Sequence, residues 1–317
     1  ARHPDCSRHD TGWKHPEHQG RLPAVARAVH RDMLTLFPRL LEVEGVPAAP
    51  EELRIAHSDR YVHRVEARCA EAARLGGVLP LDGEVVVSAA TWEAVLAAVG
   101  CVTTAVARVE AGEARNAFCA VRPPGHPALR AHGMGFCLFG NVALAAHHAR
   151  AKHGIERVLI VDWDVHHGNG TQALVEATPD IRFISLHQWP WNPGTGAGDD
   201  RGPHESVWNV PMPGMRPPRE YVDALFRAVD DATRGFTPEL VLISAGFDSL
   251  RGDPLGGFTL EMEHVDEMTR MLVERADAWC DGRIVSALEG GYVPERLGEA
   301  CVVHLRALRP EPAAASR

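Results

Sequence analysis

The segment Val158–Gly170 reads Val-Leu-Ile-Val-Asp-Trp-Asp-Val-His-His-Gly-Asn-Gly. An aliphatic run stops at two carboxylates, Asp162 and Asp164, two imidazoles, His166 and His167, and two glycines. Asp-x-His spacing lets a carboxylate oxygen and an imidazole nitrogen converge on one cation, and both groups are ordinary zinc ligands. Read alone, the segment also fits a polar loop that caps the next helix, because a lone Asp-x-His is common. The rest of the chain decides between the two.

The same juxtaposition recurs. Ala117–Val121 runs into Arg122-Pro123-Pro124-Gly125-His126, and Ile181–Ser185 runs into Leu186-His187-Gln188. Leu240–Ser244 runs into Ala245-Gly246-Phe247-Asp248, and Arg283–Ala287 runs into Leu288-Glu289-Gly290-Gly291-Tyr292. Short continuous apolar runs fit strands buried on both faces of a parallel sheet. Such sheets place ligand sites just beyond the carboxyl ends of their strands. His126, Asp162, Asp164, His166, His187, Asp248 and Tyr292 are therefore expected to share one rim.

Asp164, His166 and Asp248 together would form a three-ligand cation site with a position left open, as catalytic rather than structural zinc sites have. Two carboxylates and one imidazole suit Zn²⁺ and are oxygen-rich enough for Fe²⁺ or Mn²⁺. A metal there would activate water and polarise a carbonyl. His126 is the candidate general base or acid, with Asp162 fixing its tautomer. Tyr292, expected on a flexible Gly290-Gly291 hinge, could donate its phenol to a developing oxyanion. The parts suggest metal-assisted hydrolysis of an amide.

The elements that must hold these groups follow from periodicity. Helical spacing marks Tyr61–Leu75, Thr91–Ala111, Asn141–His153, Pro218–Gly235 and Leu260–Asp281, and a helix begins near Leu22 after a His- and Pro-rich loop. Leu53–His57 reads as a brief strand and Gly76–Gly83 as a turn region. Strands alternating with helices signal the α/β class with a mainly parallel sheet. No repeat or linker divides the chain, so residues 1–317 read as one domain with a loose tail at 310–317.

Composition bounds the partners. With 45% hydrophobic and 24% charged residues the chain reads as an ordinary globular protein. A formal charge of −9 and a pI near 6.1 argue against a binder of nucleic acid dominated by phosphate contacts. The weakly polar run Ala94–Ala107 reads as too short for a membrane span. Seven scattered cysteines without a Cys-x-x-Cys pair read as reduced thiols, which makes the cytoplasm the expected compartment.

The motifs together resemble the histone deacetylase and acetylpolyamine amidohydrolase family. They are Arg122-Pro123-Pro124-Gly125-His126, Gly135-Phe136-Cys137, Asp162–Gly170, Phe247-Asp248 with Gly252-Asp253-Pro254, and Glu289-Gly290-Gly291-Tyr292. His15-Pro16-Glu17 with Arg21, Leu186-His187 and Pro193-Gly194-Thr195-Gly196 fit as well. Trp163 and Asn169 resemble the class II branch, including its bacterial members. The resemblance implies the three-layer arginase-like α/β fold, a mainly parallel central sheet flanked by helices. It implies Asp164, His166 and Asp248 as Zn²⁺ ligands, Asp162 as the partner of His126, and Tyr292 as the tyrosine that stabilises the transition state. It further implies Gly135 and Phe136 along an acyl-lysine channel, Arg21 at an internal acetate pocket, and a structural K⁺ near Asp162, Asp164, His166, Ser185 and Leu186. The implied substrate is an acylated lysine or polyamine, and oligomerisation is left open.

Two positions depart from the family pattern. A second histidine normally follows the first, and here that place holds Pro127, which removes the group usually assigned as the main general base and leaves Asn169 without its partner. General acid–base groups contribute typically ~10²–10⁴-fold, so a weakened homologue that binds acylated amines is the rival expectation. His132 is the one nearby imidazole that could swing in. Asn192 stands where a second aromatic channel wall often lies, with Trp189 and Trp191 beside it.

Overall fold

The computed structural model describes residues 1–309; the tail 310–317, expected to be loose, lies outside the described residues. Helices α1 (Arg21–Arg31), α2 (Met33–Leu36) and α3 (Pro50–Leu53) precede the long α4 (Asp59–Leu75). A hairpin of β1 (Leu79–Asp82) and β2 (Val85–Val87) leads into α5 (Thr91–Glu110). Alternation then takes over with β3 (Asn116–Cys119), α6 (Asn141–His153), β4 (Val158–Asp162), α7 (Asn169–Val175), β5 (Ile181–Gln188) and β6 (Val207–Met212). The series ends with α8 (Pro218–Thr233), β7 (Leu240–Ala245), α9 (Met262–Cys280), β8 (Ile284–Leu288) and α10 (Pro294–Ala307).

Six strands form the central sheet in the order β3-β8-β7-β4-β5-β6, and every neighbouring pair is parallel. β4 lies in the interior of that order and all its residues are buried, which is why its sequence is continuously apolar rather than alternating. Register puts Asp162 level with Ser185 on one side and Ser244 on the other, so the carboxyl ends of β5, β4 and β7 line up as one rim. Helices flank the sheet in two groups: α5 packs on α6, β3 and β8, while α10 packs against α1 and α9.

Local chemistry explains where several elements begin and end. Ser58 caps α4, its hydroxyl accepting from the Tyr61 N–H at 3.3 Å, and Gly76 ends the helix with φ 80°. α6 stops at Gly154, in the left-handed conformation that glycine adopts without penalty.

Several expectations need correction. Leu53–His57 is no strand; it is the end of α3 and a turn, because Pro50 and two glutamates start a short helix there. The region read as a turn, Gly76–Gly83, carries β1. β6 was not expected from the sequence, since Pro211 interrupts its pattern; an edge strand tolerates a proline because one of its sides has no ladder to satisfy. Finally, α5 is long and apolar enough to cross a membrane (mean hydropathy 1.4), contrary to the reading of Ala94–Ala107 as too short. Most of that window, 67%, is buried inside the molecule, where it serves the core.

Candidate active site

The rim expected from strand ends forms. Asp164 and His166 leave β4, Asp248 leaves β7, and one ligand atom from each lies within 4.8 Å of the other two. The His166 Nδ1 is 3.0 Å from Asp164 Oδ1 and 3.2 Å from Asp248 Oδ2. Both aspartates are also braced by backbone: Val165 N–H donates to Asp248 Oδ1 at 2.8 Å, and Gly290 N–H donates to Asp164 Oδ2 at 2.8 Å. It is the one such metal-capable cluster among the described residues.

The donor set fits a divalent cation. Burial raises the Asp248 carboxyl to about 7, and the neighbouring Asp164 charge adds to the rise. Its Oδ2 is buried and makes no hydrogen bond, with the His166 Nδ1 3.2 Å away as its one ion-pair neighbour among the described residues. Burial works against ionisation of Asp164 too, but the His126 and His166 imidazoles outweigh it and hold that carboxyl below the ordinary range. A cation among the three would compensate the crowded carboxylates and engage the free oxygen.

Beside this cluster, His126 Nδ1 sits 2.9 Å from Asp162 Oδ2, and Asp162 Oδ1 accepts from the Asp164 N–H at 3.1 Å. The pairing fixes the ring and turns Nε2 toward Asp164, 3.4 Å away. Burial lowers the imidazole's pKa, yet the Asp164 and Asp162 carboxylates prevail and place it well above the usual value. The loop carrying His126 is held by Glu289, whose Oε2 accepts from the Gly125 N–H at 2.6 Å and the His126 N–H at 3.2 Å.

Tyr292 does not sit on a flexible hinge. Glu289 N–H donates to Ala245 O, Gly290 O accepts from Phe247 N–H at 3.1 Å, and Tyr292 N–H donates to Asp253 Oδ2 at 2.7 Å. Arg21 adds two more ties, Nη2 to Glu289 O at 2.5 Å and Nε to Gly291 O at 2.8 Å. The phenol ring lies 5.2 Å from the Arg21 guanidinium and edge-on to Phe136 at 5.9 Å. Burial pushes the phenol's pKa well above its ordinary value, so it stays protonated and able to donate.

Arg21 itself is fully buried, with Nη1 on Glu17 Oε1 at 2.8 Å. Arg122 grips the same carboxylate at 2.5 and 2.7 Å, and the two guanidiniums overcome burial to hold Glu17 at about 2. Glu17, Arg122, Glu289 and Asp253 were missed as supports of the site. Only His15-Pro16-Glu17 with Arg21, an acid in the loop four residues before a base at the start of α1, hinted at any of them.

The remaining expected residues are placed as follows. Gly135 (φ 55°) and Phe136 (φ 66°) form a tight turn whose first N–H donates to Glu84 Oε1 at 2.8 Å, and Phe136 packs edge-on against His15 at 4.6 Å. Trp191 is 43% exposed, its indole Nε1 donating to Leu255 O at 2.9 Å, and Asn192 is exposed beside it. Pro127 is buried, and its ring lies so near Gly135 that an added Cβ there would come within 2.8 Å. Asn169 donates weakly to Met134 Sδ at 3.4 Å, and its buried Oδ1 has no partner. His132 is half exposed and faces Asp82 at 3.4 Å, away from the cluster. His187 serves the loop, with Ser185 Oγ at 3.0 Å and Gly196 O at 2.9 Å; Leu186 precedes it on β5.

Comparison with known proteins places the chain in a family. The histone deacetylase domain model matches residues 15–308. The chain is 38% identical to a histone deacetylase-like amidohydrolase of Pseudomonas aeruginosa, covering 87% of this chain and 71% of that protein. It is 35% identical to human histone deacetylase 9 over 95% of this chain, which spans only 32% of the human protein. A Synechocystis protein named only as uncharacterized is 40% identical, over 95% of this chain and 96% of its own. The crystal structure of the HDA15 HD domain superposes with a TM-score of 0.87 at 32% identity, covering 96% of this chain and 88% of that one. With a family model spanning nearly its whole length and relatives of that name at 35–38% identity, this chain belongs to the histone deacetylase family.

Proposed function

We propose that the protein is a zinc-dependent amidohydrolase that removes acetyl or other short acyl groups from lysine side chains or polyamines. The observation that carries this reading is the convergence of Asp164, His166 and Asp248 beside the His126–Asp162 pair and the Tyr292 loop. Zn²⁺ held by the three ligands would supply the Lewis acidity that activates water and polarises the acyl carbonyl. Asp162 holds His126 Nδ1, which leaves Nε2 to take a proton and later return it to the leaving amine. The Tyr292 phenol donates to the oxyanion as it forms, and the anchored backbone limits the reorganisation needed. Gly135 and Phe136 receive the substrate's acyl-amine arm, with Trp191 and Asn192 at the outer rim. A structural K⁺ beside Ser185 belongs to the same reading.

The test is a panel of acetyl-lysine peptides and acetylpolyamines with the purified, Zn²⁺-supplied protein. Turnover that His126→Ala and Tyr292→Phe abolish supports the assignment; turnover indifferent to both overturns it. A second reading, a catalytically weakened homologue that binds acylated amines, is favoured by one feature. Pro127 fills the place of a second histidine and leaves Asn169 Oδ1 unpartnered. If wild-type protein binds these substrates without turnover and Pro127→His turns them over, this second reading is the correct one.

A further inference from the structure

Asp253 lies between Gly252 and Pro254, and a turn residue at that place needs only one side-chain oxygen. Oδ1 meets that need by accepting from the Leu255 N–H, two residues on, at 2.9 Å. The turn leaves the second oxygen unexplained. Oδ2 accepts from the Tyr292 N–H at 2.7 Å, at the end of a different strand. Asp253 is only 8% exposed, and a desolvated carboxylate is costly unless its oxygens are bonded. Two N–H donors, one on each oxygen, select a carboxylate: an amide would turn an NH₂ group toward one of them.

The placement matters because Tyr292 follows Gly291, whose φ of 119° lies where the backbone is least restricted by a side chain. An oxyanion donor must stand ~2.7–3.1 Å from the oxygen it stabilises, so its backbone has to be fixed from both sides. Arg21 holds the Gly291 carbonyl on the near side, and Asp253 holds the next N–H. Leu255, in the same turn, accepts the indole N–H of Trp191.

We propose that Asp253 is a positioning residue that fixes the Tyr292 backbone and, through Leu255, the rim side chain of Trp191, so that one turn sets both phenol and channel wall. The inference rests on the role given to Tyr292 above. Its test is Asp253→Asn made in the full chain, alone and in a Tyr292→Phe background. Kinetics are measured on the Zn²⁺-supplied proteins, and hydrogen exchange over residues 289–293 is followed without added metal. Asp253→Asn is expected to lower kcat ~10-fold or more in the wild type, as small misplacements of catalytic groups do. In Tyr292→Phe the further loss of kcat should stay below about twofold, because on kcat the two changes act through one group, whereas the link to Trp191 is read in KM. The Tyr292 amide should exchange faster while α9 is unchanged. Equal losses in both backgrounds, or unchanged exchange at Tyr292, overturn the inference while leaving the phenol's role intact; Tyr292→Phe without loss of rate overturns both. Should Asp253→Asn unfold the protein, seen as faster exchange throughout α9, Asp253→Glu is read by the same criteria.

Discussion

At the end of β8 the segment from Glu289 to Tyr292 is tied by Arg21, Asp164, Phe247, Ala245 and Asp253. At the end of β3, the loop through His126 is also anchored in its backbone, by Glu289 and by Thr171 N–H on His126 O at 2.8 Å, yet it brings a single titratable side chain to the site. Pro127 has no proton to give or take, and Asn169 Oδ1 faces no donor. The difference teaches that the groups proposed to stabilise charge and those proposed to transfer protons stand on separate loops with separate supports, so variants can test the two roles apart. The groups proposed for the first, three ligands and a phenol, are all present and braced. Those for the second are reduced to His126 with Asp162.

The comparison breaks most severely at the metal. Asp248→Ala removes one of three ligands and is expected to take bound Zn²⁺ from stoichiometric to a small fraction, with turnover falling to background; metal analysis after dialysis checks it. Retained metal would mean that the braced side of the rim is not a metal site. Next in size, Tyr292→Phe is expected to lower kcat by ~10²–10³ with little change in KM, the usual cost of one oxyanion donor. A rise in KM alone would move Tyr292 from the reacting oxygen to the substrate's body.

Pro127→His probes the depleted side. Restoring an imidazole beside the unpartnered Asn169 oxygen is expected to raise kcat by about 10²-fold, the lower end of what a general base contributes. No gain would show that His126 already carries both proton transfers and would erase the contrast drawn above. The last effect is on stability and not on the rim. Burial holds His57 near about 4 and His304 near about 3, against 6.5 for an ordinary imidazole. At these two positions the unfolded chain takes up protons that the folded one refuses, so the stability they contribute is full above 6.5 and declines as pH falls toward those lower values. Each group contributes about 1.4 kcal/mol per pH unit in that window. Urea midpoints of the wild type and of His304→Gln at neutral and mildly acid pH measure it; the wild type should lose more stability on acidification than the variant, and equal losses would refute the sign.

Much of the site was legible because its residues follow buried strands directly. Asp164, His166, Asp248, His126 and Tyr292 each sit within a few residues of an apolar run, and a parallel sheet gathers such positions at one edge. Asp253 and Glu289 were not legible as supports. Each accepts backbone N–H groups from distant segments, and an N–H leaves no mark in sequence. β6 escaped for a related reason: what permits its proline is its place at the sheet edge, which is a property of strand order.

By itself, then, the sequence determined the candidate ligands and the rim on which they stand, since several continuous apolar runs that end in carboxylate and imidazole converge at one edge of a parallel sheet. It also determined that a proline replaces a histidine. The tertiary structure decided what those residues are free to do. Packing ties down a Gly-Gly segment that composition alone reads as mobile, commits Arg21 to Glu17 and two carbonyls, and leaves one oxygen of Asp248 and one of Asn169 without a hydrogen bond. Which polar atoms remain unsatisfied depends on groups brought together across the whole chain, and only the folded arrangement fixes that.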